Sequence, residues 1–93
     1  MSASITRRLT VRGRVQGVGY RDYIEYKAGE LGVSGWVRNR RDGTVEAVVQ
    51  GTPAAVESII ECAQRGPRAA RVTAVEVSDA GGSYTTFIAM QTE

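Results

Sequence analysis

The stretch Gly13-Arg14-Val15-Gln16-Gly17-Val18-Gly19-Tyr20-Arg21 decides the fold, because it joins a strand pattern to a helix pattern. Before it, apolar and polar residues alternate over residues 8–15, which is the period of a strand with one buried face. After it, from Arg21 to Leu31, apolar residues recur at helical spacing: Ile24, Ala28 and Leu31. Gly32 is placed to end this helix. We therefore expect a first strand that enters a first helix through a glycine-rich loop.

The middle of the chain predicts a β-hairpin. Residues 35–40 and 44–50 are rich in residues that favour strands, and Asp42-Gly43 between them is a strong turn signal. The second and third strands are therefore expected to pair antiparallel.

A second helix is predicted after the hairpin. Thr52-Pro53 supplies a cap and a first-turn proline, and four apolar residues follow at helical spacing: Val56, Ile59, Ile60 and Ala63. Gly66-Pro67 ends the helix. Residues 72–77 then predict a fourth strand, and residues 84–90 a closing strand after a turn at residues 79–83.

The order of these elements predicts an α+β fold. A β-α-β-β-α-β succession builds a ferredoxin-like sandwich, in which an antiparallel sheet carries two helices on one face. The closing segment adds an extra C-terminal strand. We expect one domain over residues 1–93, with residues 1–6 as a loose N-terminal extension.

Composition narrows the kind of protein and its chemistry. The 93 residues are 42% hydrophobic, include one cysteine, Cys62, and contain no histidine. An intrachain disulfide and a zinc or redox-metal ligand set are therefore not expected, and no cofactor is implied. Cys62, without a histidine to activate it, is interpreted as a partly buried small residue. Neither a bilayer-spanning run nor a secretory signal is present, so we expect a cytoplasmic monomer with no membrane partner.

Charge is divided unevenly along the chain. Residues 1–41 carry nine basic and three acidic side chains, a net charge of +6, whereas residues 42–93 carry three and seven, a net charge of −4. Such a field attracts a small anionic substrate or a nucleic acid, but a solvated basic face explains it as well. Arg38, Arg40 and Arg41 belong to this field.

The glycine loop is suited to bind an anion. Gly17 and Gly19 allow unusual backbone conformations, and the loop feeds a helix N-terminus, where unpaired N–H groups and the helix dipole favour negative charge. Glycine spacing by itself favours the plainer interpretation of a tight turn. Arg21 shifts this balance, because a cation in the first helical turn costs roughly 0.3–1 kcal/mol unless an anion is bound nearby.

Other polar residues have open interpretations. The guanidinium of Arg21 can bind two phosphate oxygens, or it can be a surface group compensated by Asp22 and Glu25. Those two carboxylates suit a first helical turn better than an acid–base pair. Asn39, at the end of the second strand, could orient a water molecule, or could simply be a polar residue near a hairpin end.

The chain resembles the acylphosphatase family through three segments: residues 13–21, Leu31-Gly-Val-Ser-Gly-Trp-Val-Arg-Asn39 and Asp42-Gly43-Thr-Val-Glu46. Weaker similarity extends through residues 66–67 and 72–77 to Phe87, so the resemblance covers nearly the whole chain. It implies the ferredoxin-like sandwich. Tyr20 replaces a common phenylalanine, and Gly19 stands where some members have cysteine, but neither change removes a catalytic group.

The resemblance implies roles for particular residues. It makes Arg21 the ligand of the phosphoryl oxygens, makes Asn39 the residue that positions the attacking water, and assigns phosphate binding to the backbone amides of Gln16, Gly17, Val18, Gly19, Tyr20 and Arg21. A small acyl phosphate would be the substrate, hydrolysed in line without a phosphoenzyme, a metal or a cofactor.

Two other functions stay open at this point. One is a non-catalytic, basic ferredoxin-like module that binds RNA or another polyanion, although no segment matches the aromatic signature of an RNA-recognition motif, so nucleic acid is not the expected partner. The other is an acylphosphatase-like domain of a larger maturation assembly, which is less favoured because the chain ends with the domain.

Overall fold

The computed structural model describes residues 3–93. In that part of the chain five strands and two helices follow one another: β1 (Ile5–Arg14), α1 (Tyr20–Leu31), β2 (Ser34–Asn39), β3 (Val45–Gly51), α2 (Pro53–Arg65), β4 (Arg71–Asp79) and β5 (Phe87–Ala89). The predicted α+β succession with an extra C-terminal strand is confirmed. Neither helix is long and apolar enough to cross a membrane.

The strands form one sheet with the order β4-β1-β3-β2-β5. The three pairings among β1 to β4 are antiparallel, as predicted, and the extra C-terminal strand β5 runs parallel to β2. The connection explains the difference. The chain leaves β4 at one sheet edge, crosses the end of β3 and returns beside β2, which forces β5 to run opposite to β4. The Gln50 side chain holds this crossing, since it accepts from Tyr84 N at 3.0 Å and donates to the Gly82 carbonyl at 2.8 Å.

The largest differences between predicted and observed element ends are in β1 and β5. β1 already includes Ile5 and Thr6, which pair with Gly51 and Gln50, so the loose extension expected over residues 1–6 is wrong at these two positions. Residues 1 and 2 of that extension lie outside the described residues. β5 covers three residues rather than the seven predicted over 84–90.

Both helices pack against one face of the sheet. The core comprises the inward side chains of the central strands and the apolar stripes of the helices: Leu9, Val11, Val37, Val45, Ala47, Val49, Ile24, Ala28, Val56, Ile59 and Ala63. Burying each of the valine, leucine and isoleucine side chains contributes about 1.5–3 kcal/mol. The predicted stripes are confirmed, except that Leu31 and Ile60 are half-buried at their margins. The predicted cap of α2 is present, because Thr52 Oγ1 accepts from Ala55 N at 3.1 Å.

The other face of the sheet has a buried charge. Glu46 of β3 lies among Arg8, Arg38 and Arg40 and forms a salt bridge with each of them. Burial raises the pKa of Glu46, but the hydrogen bond from Arg38 and the three positive charges outweigh burial, so its pKa is lowered. Arg38 and Arg40 are therefore bound to this carboxylate, whereas Arg41 is exposed, as predicted.

Candidate active site

The glycine loop lies where β1 ends and α1 begins. Gly17 and Gly19 have φ angles of 72° and 80°, in the left-handed region that side chains disfavour. A Cβ at either position would meet no atom within 4 Å. The two glycines are therefore required by backbone conformation rather than by crowding from the rest of the protein.

The start of α1 has free hydrogen-bond donors. Gly19 is its N-cap and has no side chain that could cap the first turn. The first N–H groups of a helix have no partner within the helix, and they carry the positive end of its dipole. This end of α1 is therefore suited to an anion.

A pocket of about 180 Å³ opens at this place and is lined by Val15, Gly17, Gly19, Tyr20, Arg21, Asp22 and Asn39. It brings the loop together with Arg21 and Asn39, although Asn39 comes from a different strand. β1 and β2 run in the same direction on either side of β3, so the loop after β1 and the last residue of β2 lie at the same end of the sheet.

Three residues that the sequence suggested as part of the site lie outside the pocket lining. Gln16 and Val18 do not line the pocket, and neither does Glu25. Asp22 does line it, although the sequence favoured a purely structural role for this carboxylate. Its proximity to the pocket had no local signal, because first-turn acidic residues are common whether or not a site is near.

Arg21 is half-buried and held from one side. Its Nη1 donates to the Met90 carbonyl at 2.8 Å, which ties the first turn of α1 to the segment after β5. Within residues 3–93 it forms no salt bridge, so compensation by Asp22 or Glu25 is not observed. A guanidinium has five N–H donors, and the contact with Met90 engages one nitrogen.

Asn39 is the last residue of β2, and its backbone contacts β3 on one side and the C-terminal segment on the other. It pairs with Val45 of β3, and its carbonyl accepts from Glu93 N at 3.0 Å. The side-chain Oδ1 is buried, and it is the one buried side-chain polar atom of residues 3–93 without a hydrogen-bond partner. Such an acceptor costs about 1–3 kcal/mol if it stays unpaired.

Tyr20 anchors the loop to the core. Its side chain is 1% exposed, and its hydroxyl donates to the Ala63 carbonyl of α2 at 2.7 Å. Burial, with the neighbouring Tyr23 and Cys62 adding to it, raises the pKa of the Tyr20 hydroxyl far above its ordinary value. The hydroxyl therefore remains a proton donor to Ala63, and the phenylalanine common in the resembling family would lack this bond.

The Gln16 side chain joins the loop to the β2–β3 hairpin. Its Nε2 donates to the carbonyls of Arg40 and Thr44 at 2.7 and 2.8 Å. The sequence assigned only the backbone of Gln16, because contacts across 24 and 28 residues have no local signal.

No group of three or more His, Cys, Asp or Glu side chains in the described part of the chain could hold a metal ion.

The fold and the pocket define a ferredoxin-like protein with an anion-attracting loop at one end of its sheet. The chain belongs to the acylphosphatase family, whose model matches residues 7–87. It is an enzyme of that family and therefore a hydrolase.

Curated and structural relatives agree with this assignment. An acylphosphatase of Rhodopseudomonas palustris strain BisB18 is 55% identical over 74 residues, which cover 80% of this chain and 75% of the relative. The crystal structure of acylphosphatase from Bacillus subtilis has a TM-score of 0.88 at 33% identity, covering 92% of this chain and 98% of that one. An acylphosphatase structure from Coxiella burnetii has a TM-score of 0.90 at 33% identity, with 94% and 93% coverage.

Proposed function

We propose that the chain hydrolyses small acyl phosphates by in-line attack of a water molecule that Asn39 positions. The phosphoryl group is held by the Arg21 guanidinium and by backbone amides of residues 16–21. The observation that carries this proposal is the pocket itself, which brings Asn39 of β2 together with Arg21 and the glycine loop.

The reaction exchanges one P–O bond for another. The water oxygen forms a bond to phosphorus, and the bond from phosphorus to the acyl oxygen breaks with its electron pair on the departing carboxylate. A carboxylate is a weak base, so its departure needs no general acid. The two protons of the water end on phosphate oxygens and in solvent, and Asn39 Oδ1 accepts a hydrogen bond from the water throughout.

Catalysis then depends on alignment and charge. Phosphoryl transfer through a loose transition state spreads negative charge over the equatorial oxygens. Arg21 can donate to two of them, and the unpaired amides at the start of α1 can donate to others. Holding the water and the phosphorus in line supplies the rest of the rate enhancement.

The setting of the enzyme is part of the proposal. All the named groups come from one chain, so a monomer is sufficient for turnover. Cys62, the single cysteine, is half-buried on α2 and needs no oxidising compartment. We therefore place the activity in the cytoplasm.

The test is hydrolysis of acetyl phosphate or benzoyl phosphate in the presence of a metal chelator. The parent protein is expected to release phosphate well above the spontaneous rate, and Arg21→Ala and Asn39→Ala are each expected to lower kcat by about 10²–10³-fold, as removal of one transition-state donor does. Arg21→Lys is expected to recover little, because a point charge cannot replace a planar fork.

Arg7→Ala is the matched control for removing an arginine. Arg7 pairs with Asp79 near the other end of β1, roughly 23 Å along the strand from Arg14, and its loss is expected to leave kcat within twofold. A folded parent protein that released phosphate at the spontaneous rate, or an Arg21→Ala variant at full rate, would contradict the proposal.

A further inference from the structure

The Gln16 side chain connects the two halves of the pocket. The glycine loop carries the phosphate-binding groups, whereas Asn39 belongs to β2. Gln16 Nε2 donates to the carbonyl of Arg40, the residue that follows Asn39, and to the carbonyl of Thr44, which precedes β3. One amide group therefore joins the start of the loop to the segment immediately after the water-binding residue.

The hairpin does not need these two bonds in order to close. The Thr44 carbonyl already accepts from Arg40 N at 2.8 Å, and the Arg40 carbonyl accepts from Gly43 N at 3.1 Å. Asp42 Oδ1 also accepts from the backbone and the hydroxyl of Thr44 at 2.9 and 2.7 Å. Both carbonyls thus keep a backbone partner if Gln16 is replaced, and no buried acceptor is left unpaired.

The remaining consequence of the contact is geometric. The loop is linked to the hairpin by two short bonds of 2.7 and 2.8 Å from a half-buried side chain, and Asn39 lies one residue from one of the two acceptors. In-line attack requires the water and the phosphorus to be held to within a fraction of an ångström, since a misplacement of about 1 Å can cost about 100-fold in rate.

We propose that Gln16 is a positioning residue, whose side chain fixes the phosphate-binding loop relative to Asn39 and so aligns the water with the phosphorus. This inference rests on the proposed function. The Gln16 side chain does not line the pocket and donates to the hairpin carbonyls instead. Its removal should therefore affect the rate of the aligned complex and leave phosphate binding by Arg21 and the loop amides nearly intact.

The first test is Gln16→Met, which keeps the length of the side chain and removes the donor. We expect kcat for acetyl phosphate to fall by about 10–100-fold. KM and the inhibition constant of inorganic phosphate should each change less than about threefold, since uniform binding is retained. A variant of unchanged kcat, or one whose KM and phosphate inhibition constant rise as much as its kcat falls, overturns the inference.

Gln50→Met is the matched control. The amide nitrogen of Gln50 also makes two hydrogen bonds, to Thr6 Oγ1 and to the Gly82 carbonyl, both at 2.8 Å. Gln50 lies near the end of β3 that is remote from Asn39. It is five positions along β3 from Val45, the residue that pairs with Asn39. Gln50→Met should therefore leave kcat within twofold, even if its melting temperature falls as far as that of Gln16→Met. An equal loss of kcat in the two variants overturns the inference.

A third variant, Gln16→Glu, tests the inference through the pH dependence of kcat. This measurement does not depend on how much stability the variant loses at neutral pH. An ionised carboxylate cannot donate to the Arg40 and Thr44 carbonyls, whereas a protonated carboxyl can donate one hydrogen bond. The kcat of this variant, divided by the parent kcat at the same pH, should rise as pH is lowered through the titration of the introduced carboxyl. A ratio that is constant or falls with decreasing pH overturns the inference.

The experiment separates this inference from the proposed function. Failure of the parent protein to hydrolyse acetyl phosphate rejects the proposed function itself. An active parent that loses turnover in Asn39→Ala but keeps it in Gln16→Met rejects only the positioning role of Gln16.

Discussion

A single buried oxygen atom best illustrates the chemistry at the scale of the residue. Oδ1 of Asn39 is enclosed without a hydrogen-bond partner among residues 3–93, although the backbone of the same residue is paired with both β3 and Glu93. A buried acceptor that stays unpaired costs stability. If the acceptor has no partner in the folded protein and serves only the reaction, stability and turnover should respond in opposite directions when it is replaced.

Asn39→Leu tests this opposition. Leucine has a similar branched outline and no polar atom, so the free energy of unfolding is expected to rise by about 0.5–1 kcal/mol while turnover is lost. For a domain of this size the melting temperature would rise by about 2–8 °C, which thermal unfolding measures.

The matched variant is Arg21→Leu. It also removes a proposed catalytic group, but it breaks the bond to the Met90 carbonyl and relieves no buried acceptor. It is therefore expected to be inactive without any gain in melting temperature. An Asn39→Leu protein that is less stable than the parent would show that the Asn39 amide is a structural group.

The two proposed catalytic positions also differ in how far the sequence reveals them. Arg21 carries a physical signal of its own, because a cation is unfavourable where a helix begins. Asn39 has no such signal, and only the family resemblance separates it from any polar residue at a hairpin end. The sequence did not predict the hydrogen bonds of the Gln16 side chain, because its two acceptors lie 24 and 28 residues away.

At the scale of the element, Gly35 determines how closely β2 and β3 approach. It lies inside β2 with a φ angle of 132°, and a Cβ there would be 1.9 Å from the Val48 carbonyl oxygen. Because both the position and the conformation exclude a side chain, Gly35→Ala must displace β2 from β3. The displacement would reach Asn39, which ends the same strand.

Gly35→Ala is therefore expected to lower the free energy of unfolding by about 3 kcal/mol or more, through strain and overpacking together. Gly32→Ala is the control: Gly32 ends α1 with a φ angle of 70°, and a Cβ there would meet no atom within 4 Å. Strain alone should cost about 1–2 kcal/mol. Chemical denaturation measures both losses, and equal losses would mean that β2 tolerates the side chain.

Local patterns predicted most of these elements because each has its own signal. The stripe of α2, with its threonine cap and first-turn proline, was apparent from spacing and was confirmed. The direction of β5 was not predictable in this way. A strand of three residues, Phe87–Ala89, has almost no periodicity, and its parallel pairing with β2 depends on a partner some 50 residues earlier in the chain.

At the scale of the whole molecule, Glu46 connects neighbouring strands of the sheet through salt bridges to three arginines. Its carboxylate is 4% exposed and bridges Arg8 of β1 with Arg38 of β2 and with Arg40 beyond it. Because the pKa of Glu46 is lowered by folding, the folded state binds a proton less readily than the unfolded chain. The stabilisation is therefore complete above the unfolded value of about 4.3 and is lost as pH falls through the lowered folded value.

Glu46→Gln is expected to lower the free energy of unfolding by about 2 kcal/mol at pH 7, less than for a fully buried pair because Arg8 and Arg40 are partly exposed. The difference from the parent should shrink below about pH 4.3, as protonation removes the same charge from the parent. Urea unfolding between pH 7 and pH 3 measures it. Glu76→Gln is the control, since its bridge to Arg12 is exposed and should contribute less than about 1 kcal/mol. A pH-independent Glu46→Gln loss would assign the effect to packing instead of charge.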